Sequence, residues 1–427
     1  MGENKKNSFF IYSHGIGSEC KFDLIILTVI FFSILFVPYI PLSSSFYLSI
    51  EELLLSVVGL RLLWKRIIWI DYFVLVLLFF SFYIFFTICI NRHFYQWNEY
   101  FEIFKVLKLL LIYVYTIHCF YKSDYSAVFH KIINISFILL FLINIVHYFD
   151  FFDFTRKILI YYDSDRRDIS SFGLNSLGEA SARRIVGTFG NPNDNAILFL
   201  LYFAYYASKI SELNKKRINS SRLFFYASTF LVFLTQSRTA LIALAVLIIL
   251  HLISNRHALK QGIYDLLFIV VSLLLFTALD NLSINYLTNT HIVLSENTSV
   301  TGRFEIWHKL IDLWKEKPLF GYGPNKEYIY SRDIYPENEY IFFLWRYGSI
   351  GLIIYMFILF FPFLFFRNRV LKNKFLFYTI LIVAITALTN NPLSNMKFMF
   401  LIGIIYGYSI IEIYGLQKLK PEMNVAK

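Results

Sequence analysis

Long apolar runs dominate the chain, and none of them alternates polar with apolar positions in the manner of a strand. Read in order, they number about twelve, and many approach the roughly 17–25 residues that cross about 30 Å of hydrocarbon. They are Leu24–Ile40, Phe46–Leu62, Ile67–Ile90, Ile103–Phe120, Ile133–Phe151, Asp194–Ala207, Leu223–Leu234, Thr239–Ile253, Ile263–Ala278, Tyr347–Phe366, Phe375–Leu388 and Phe398–Ile413. The seventh is short, and the second carries Glu51 and Glu52, which marks it as partly interfacial. A transmembrane barrel would need alternating strands. The pattern therefore predicts an all-α polytopic membrane protein: one integral membrane domain over residues 1–427, about twelve transmembrane helices, and the lipid bilayer as its solvent.

Two long polar segments interrupt the runs, Phe152–Asn193 and Leu279–Arg346. Within the second, Phe304, Trp307, Ile311 and Trp314 fall on one helical face, widened by Ile306, Leu310 and Leu313. That spacing predicts an amphipathic helix lying at the membrane surface, with Thr301 as its N-cap and Pro318, Gly321 and Gly323 ending it.

Composition agrees: 57% of residues are hydrophobic and 16% charged, against roughly 25% charged in soluble domains. The net charge of +11 would suggest nucleic acid in a soluble protein. Here the basic residues gather in alternate short loops, such as "RLLWKR", "KISELNKKRINSSR" and "RNRVLKNK". That distribution orients the spans with both termini in the cytoplasm and calls for no nucleic-acid partner. Both long segments then face the far side. The polar start of the chain does not read as a cleaved signal peptide. The three cysteines form no spaced pair, so neither a disulfide framework nor a zinc site is expected.

The chemistry-bearing residues lie on that far side. "ARRIVGTFGNPNDNA" leads into the sixth run, with Arg183 and Arg184 close to a helix start that Asn193 or Asp194 can cap. An arginine beside a helix N-terminus can seat a phosphate, or it can be a solvated residue at a helix entry. In "LTQSRTALIAL" a hairpin of almost no length holds Arg238 near the membrane surface, where it can meet a bound pyrophosphate or snorkel to lipid phosphate. Arg303 starts the amphipathic helix, whose His308 reads as a solvated residue. In "PENEYIFFLWRYGSIG", Glu337, Asn338 and Glu339 enter the tenth run. Acids there favour the positive end of the helix, and one can equally serve as a general base beside the arginines. Asp163–Asp165 has the D-x-D shape used for metals by some sugar-nucleotide enzymes, but reads better as solvated loop. No phosphate-binding Gly-rich loop or HExxH pattern occurs, so no cofactor or metal is expected.

Taken in order, "GTFGNPN", "LTQSRTA", "GRFEIWHKLIDLWKEKPLFGYGPN" and "ENEYIFFLWRYGSIGL" resemble the O-antigen polymerase and O-antigen ligase superfamily of bacterial membrane proteins. The motifs cover roughly residues 183–366. The resemblance implies transfer of a glycan from undecaprenyl diphosphate to a sugar hydroxyl at the outer face of the inner membrane, without nucleotide or metal. It implies undecaprenyl-diphosphate-linked oligosaccharide as substrate and a chain-length-regulating co-polymerase as partner. In the ligase branch a His precedes the Asn corresponding to Asn338; this chain has Glu337 there, which is compatible with a polymerase. The implied roles are Arg238 and Arg184, then Arg303, on the diphosphate, with Arg183, Asn193 and Asn338 in the substrate site. Glu337 or Glu339 would be the base, Glu337 by position. A ligase acting on lipid A-core is the rival within the class, and a flippase or other transporter the rival outside it. Transporters tend to place charge at the bilayer midplane, whereas these runs are nearly free of it except for Lys105 and Lys108.

Overall fold

The computed structural model describes residues 11–13, 20–38, 40–41, 47–94, 96–122, 125–149, 151–158, 161–162, 184–212, 220–254, 259–282, 298–325, 328 and 336–414. A helix occupies each of the twelve predicted runs. In chain order they are α1 (Cys20–Phe36), α2 (Ile50–Trp64), α3 (Tyr72–Ile90), α4 (Trp97–Lys122), α5 (Ser126–Phe149), α6 (Pro192–Glu212), α7 (Ser220–Thr235), α8 (Arg238–Ser254) and α9 (Leu259–Leu282). The amphipathic helix α10 (Thr298–Glu316) follows, then α11 (Glu339–Lys372), α12 (Lys374–Thr386) and α13 (Met396–Tyr414). Among the described residues, five stretches are long and apolar enough to cross a membrane: Tyr72–Ile90, Trp97–Tyr121, Ser126–Phe149, Glu339–Lys372 and Met396–Ile413. Arg238–Ser254, Tyr264–Leu275 and Lys374–Thr386 are apolar but shorter.

Several expected boundaries move, each for a local reason. The run from Ile67 is not helical throughout. Asp71 caps α3 by accepting from Val74 N (2.9 Å), and Trp69 Nε1 (2.9 Å) and Tyr113 OH (2.6 Å) also donate to its carboxylate. The preceding Ile68–Ile70 is instead a short strand, antiparallel to Ile11–Ser13. A second ribbon pairs Ile40–Pro41 with Tyr47–Leu48, so the fold is not strictly all-α. Helix α10 begins at Thr298, ahead of the expected cap at Thr301. Helix α9 runs to Leu282 and α11 begins at Glu339, so helix extends past residue 279 and starts before residue 346. Glu51 is buried inside the bundle, whereas Glu52 forms an ion pair with Lys108 of α4.

Packing brings α13 onto α4 and α6 onto α7 and α12. The α4–α13 contact is close because Gly403 and Gly407 recur on one face of α13. A Cβ at Gly403 would meet Ile112 at 2.6 Å, and one at Gly407 would meet Thr116 at 2.9 Å. Small residues four apart allow this approach where no water drives helices together.

Helix α11 is broken at Gly348, whose φ of 66° lies in the left-handed region. The break admits the segment that leaves α10. Ser349 N donates to Pro318 O (2.8 Å), Tyr322 N to Trp345 O (3.2 Å) and Gly323 N to Arg346 O (2.7 Å). A Cβ on Gly348 would lie 2.1 Å from Leu319 O. Two separately read motifs, "KPLFGYG" and "WRYGSIG", are thus halves of one backbone interlock. Gly348→Ala is expected to cost about 2–4 kcal/mol through strain and overlap, measured as a drop in apparent Tm of the detergent-purified protein.

Candidate active site

Five elements converge at one end of the bundle: the start of α6, the α7–α8 hairpin, α10, the start of α11 and the α12–α13 loop. At the first, Gly187–Phe189 form a 3-10 turn and Gly190 (φ 71°) reverses the chain. Gly187 is itself left-handed, and a Cβ there would strike the Asn195 amide at 2.4 Å. Asn191, not Asn193 or Asp194, supplies the helix cap: its side chain accepts from Asn193 N (2.8 Å), which leaves Pro192 at the first helical position. Asn193 is therefore available to Arg184. The guanidinium donates from Nη2 to Asn193 Oδ1 (3.0 Å) and from Nε to Thr235 O at the end of α7 (2.9 Å). Arg184 so lies between two helix ends, as its place before the α6 start suggested. Arg183 falls outside the described residues, as does Asp163–Asp165.

Gln236 (φ 53°) turns the chain directly into α8, whose first residue is Arg238, an exposed cation at a helix N-terminus. That end of a helix already carries partial positive charge. Its neighbour Thr239 shares a hydroxyl contact with Thr389 of the α12–α13 loop. Arg303, within α10, forms an ion pair with Glu337, and both side chains remain partly exposed. Leu310, with Ile306 and Leu313, packs this helix against Phe342 and Trp345 of α11. The packing face is thus the flank of the expected stripe, and Phe304 is left exposed. At the other end of α10, Tyr322 OH donates to Glu316 (2.5 Å); partial burial, then this bond, push the hydroxyl up to about 12.

The two glutamates are not equivalent. Asn338 between them is the N-cap of α11, accepting from Ile341 N (3.1 Å). Glu339 is fully buried (0% exposed). It accepts from Ser394 N (2.6 Å) and Leu393 N (3.1 Å) of the α12–α13 loop and from Tyr355 OH (2.9 Å). Its neighbour Glu337 is open on the same side as Arg303.

Residues 223–356 match the family model described as O-antigen ligase. Over that stretch the chain is similar to the O-antigen ligase/polymerase superfamily. It is also 26% identical over 245 residues to a ComP-specific O-oligosaccharyltransferase of Acinetobacter baylyi, an alignment covering 53% of this chain and 44% of that protein. The chain thus matches less than half the length of this relative. The superfamily match holds Arg238, Arg303, Glu337, Asn338 and Glu339; Arg184 and Asn193 lie before it.

An element that the sequence reading did not single out is the α12–α13 loop with the first residues of α13, "ALTNNPLSNMK". Besides holding Glu339, it donates from Asn391 Nδ2 to Pro336 O (2.6 Å) and from Asn395 Nδ2 to Asp194 Oδ2 (2.9 Å). Lys397, only 4% exposed, donates to Thr188 O (3.3 Å) and Val37 O (3.1 Å). The one available signal was polar: three asparagines, a serine and a lysine crowd a turn that needs few of them. Glu339→Ala strands two buried amide N–H groups and a buried hydroxyl. The expected cost is about 3–5 kcal/mol, and Glu339→Gln, which keeps an acceptor, should lose no more than about half of it, read as apparent Tm.

Proposed function

We propose that this chain is a membrane glycosyltransferase that moves a glycan from undecaprenyl diphosphate to a hydroxyl, and that the hydroxyl is a sugar of a second lipid-linked repeat unit. It would then be an O-antigen polymerase. The observation that carries the reading is the convergence of Arg184, Arg238 and Arg303 with Glu337 at one end of the bundle. On this reading the acceptor hydroxyl gives its proton to Glu337 and its oxygen attacks the anomeric carbon. The new glycosidic bond forms as the carbon–phosphate oxygen bond breaks, and the lipid diphosphate leaves with the electron pair. Arg238 and Arg184 neutralise the charge that grows on it. Base and leaving group lie on opposite faces of the sugar, so the anomeric centre inverts. Arg303 pairs with Glu337 at rest; a bound diphosphate competes for the guanidinium and frees the carboxylate to accept a proton. Asn193 completes the donor seat by holding Arg184, while Asn338 and Glu339 hold the base-bearing segment.

Orientation follows from charge. Arg61, Lys65, Arg66, Arg369 and Lys372 sit at helix ends remote from the candidate site. By the positive-inside rule that end is cytoplasmic, the site faces the periplasm, both termini are inside, and the inner membrane is the location. A chain-length-regulating co-polymerase is the partner such a polymerase would need. The O-oligosaccharyltransferase relative supports a second reading, in which the acceptor hydroxyl belongs to a protein. The family model's description supports a third, a ligase with lipid A-core as acceptor.

Purified protein supplied with lipid-linked repeat units should extend them, and acceptors of the other two kinds should not be glycosylated. Arg238→Ala is expected to lower kcat by about 10²–10³-fold, and Glu337→Gln by about 10²–10⁴-fold. Full-rate extension by either variant would remove that residue from the mechanism. Extension absent in the wild type, with transfer to lipid A-core or protein present, would replace the polymerase reading.

A further inference from the structure

The α12–α13 loop and the first turn of α13 lie outside the family-matched residues, yet the starts of α6 and α11 and the α7–α8 hairpin all make contacts with them. We infer that Lys397 and Asn395 are positioning residues that set the location of Arg184, and with it the seat for the anionic leaving group; the inference rests on the glycan-transfer reading. Lys397 Nζ holds the carbonyl of Thr188, and Asn395 Nδ2 holds the carboxylate of Asp194. These two anchors grip both sides of the Gly190–Pro192 turn. Between them sits Asn193, whose side-chain oxygen receives the Arg184 guanidinium at 3.0 Å. Arg184 also donates to the Thr235 carbonyl at the end of α7, three residues before Arg238. The spacing of the two arginines therefore depends on where the turn is held.

The Lys397 half of the grip is buried and the Asn395 half partly so. The Lys397 ammonium also lies 5.2 Å from the Phe189 ring centroid, and Phe189 packs at a tilt against Phe398, the next residue of α13, with ring centroids 4.9 Å apart. A second bond from the ammonium, to Val37 O, ties the end of α1 to the same point. A cation this deep is costly beside hydrocarbon. A stabilising contact alone could be had from an apolar side chain; the lysine spans two carbonyls from different segments and fixes their separation. Asn395 has a distinct second duty, capping α13 by accepting from Lys397 N (3.0 Å). Serine caps helices as well as asparagine does but is too short to reach Asp194. Asn395→Ser thus separates the cap from the grip.

Two measurements on the full-length protein in nanodiscs test the inference. The first is hydrogen exchange of the 185–191 amides, which needs no substrate. Lys397→Met and Asn395→Ser should each raise exchange there by about tenfold while leaving the α4 and α13 core amides unchanged. Lys397→Arg, which keeps the donor, should restore most of the protection. The second is extension kinetics with undecaprenyl-diphosphate-linked repeat units. Both variants should lower kcat by about 10-fold or more with KM changed by less than about threefold, because the misplaced arginine is missed most where charge has grown. Unaltered exchange at 185–191 in Asn395→Ser and Lys397→Met overturns the inference, and so does faster exchange with kcat intact. If Lys397→Met does not fold, Asn395→Ser and Lys397→Arg still decide. A wild type that transfers no glycan sinks the functional reading instead, and the exchange arm then decides the positioning claim alone.

Discussion

The Glu339 carboxylate is the contact on which the rest of the site depends. An ionisable group with no exposure in an apolar bundle is tolerated only when its lone pairs are filled. Here two backbone N–H groups and a tyrosine hydroxyl fill them. The N-terminus of α11 adds its own partial positive charge. The consequence is geometric. Helix α11 begins where the α12–α13 loop allows it to, and Glu339 N returns a bond to Ala387 O at 2.9 Å. Glu337, two residues earlier, is thereby held at the lip of the bundle and not in its interior. Nearly everything else at this end is hung from the same loop: the α6 turn through Lys397 and Asn395, and the α7–α8 hairpin through Thr389.

Charge elsewhere in the bundle is treated by the same rule. Lys108 finds Glu52, and Lys105 finds Glu102 at 3.0 Å, which in turn faces Arg346 at 3.6 Å. Asp23 collects Arg61, Lys65 (3.0 Å) and His118 (3.4 Å) near the opposite end. These groups are paired and fixed between helices, as expected where an unpaired charge is costly. Lys105 and Lys108, which looked like exceptions to an uncharged interior, are thus accounted for by neighbours on α2 and α4.

Most of the helices were legible because hydropathy is local: a run such as Tyr72–Ile90 or Met396–Ile413 declares itself without reference to any partner. Boundaries were less so. Asp71 ends a run that hydropathy carried back to Ile67, because its carboxylate caps the helix and is fixed by Trp69 and Tyr113, the latter on another helix. The break at Gly348 was hidden because glycine is common in membrane helices, and what requires it is the backbone of Leu319 and Phe320, from a remote segment. At the site, Arg184 beside the α6 start and the Arg238 hairpin followed from spacing. The distinct roles of Glu337 and Glu339 did not, since what separates them is a loop more than fifty residues later in the chain. Nothing in "PENEYIFF" itself says which acid faces inward.

That separation bears on the mechanism. A general base needs an open lone pair within reach of a mobile hydroxyl, and three donors already occupy the Glu339 carboxylate. Among the described residues the ionic partner of Glu337 is a guanidinium, the group that binds phosphate best. In the proposed reaction, a base held by the same arginine that attracts the donor's diphosphate gives a built-in order of events. Before the donor arrives, Arg303 pairs with Glu337 and shields a carboxylate that would otherwise repel the anion. After it arrives, the guanidinium has a doubly charged competitor, and the carboxylate is released on the face where the acceptor must approach. Activation of the hydroxyl is then coupled to occupancy of the donor seat, which disfavours wasted deprotonation in the absence of a leaving group. The coupling requires Arg303 to stay within reach of both groups, and the packing of α10 on Phe342 and Trp345 keeps it there.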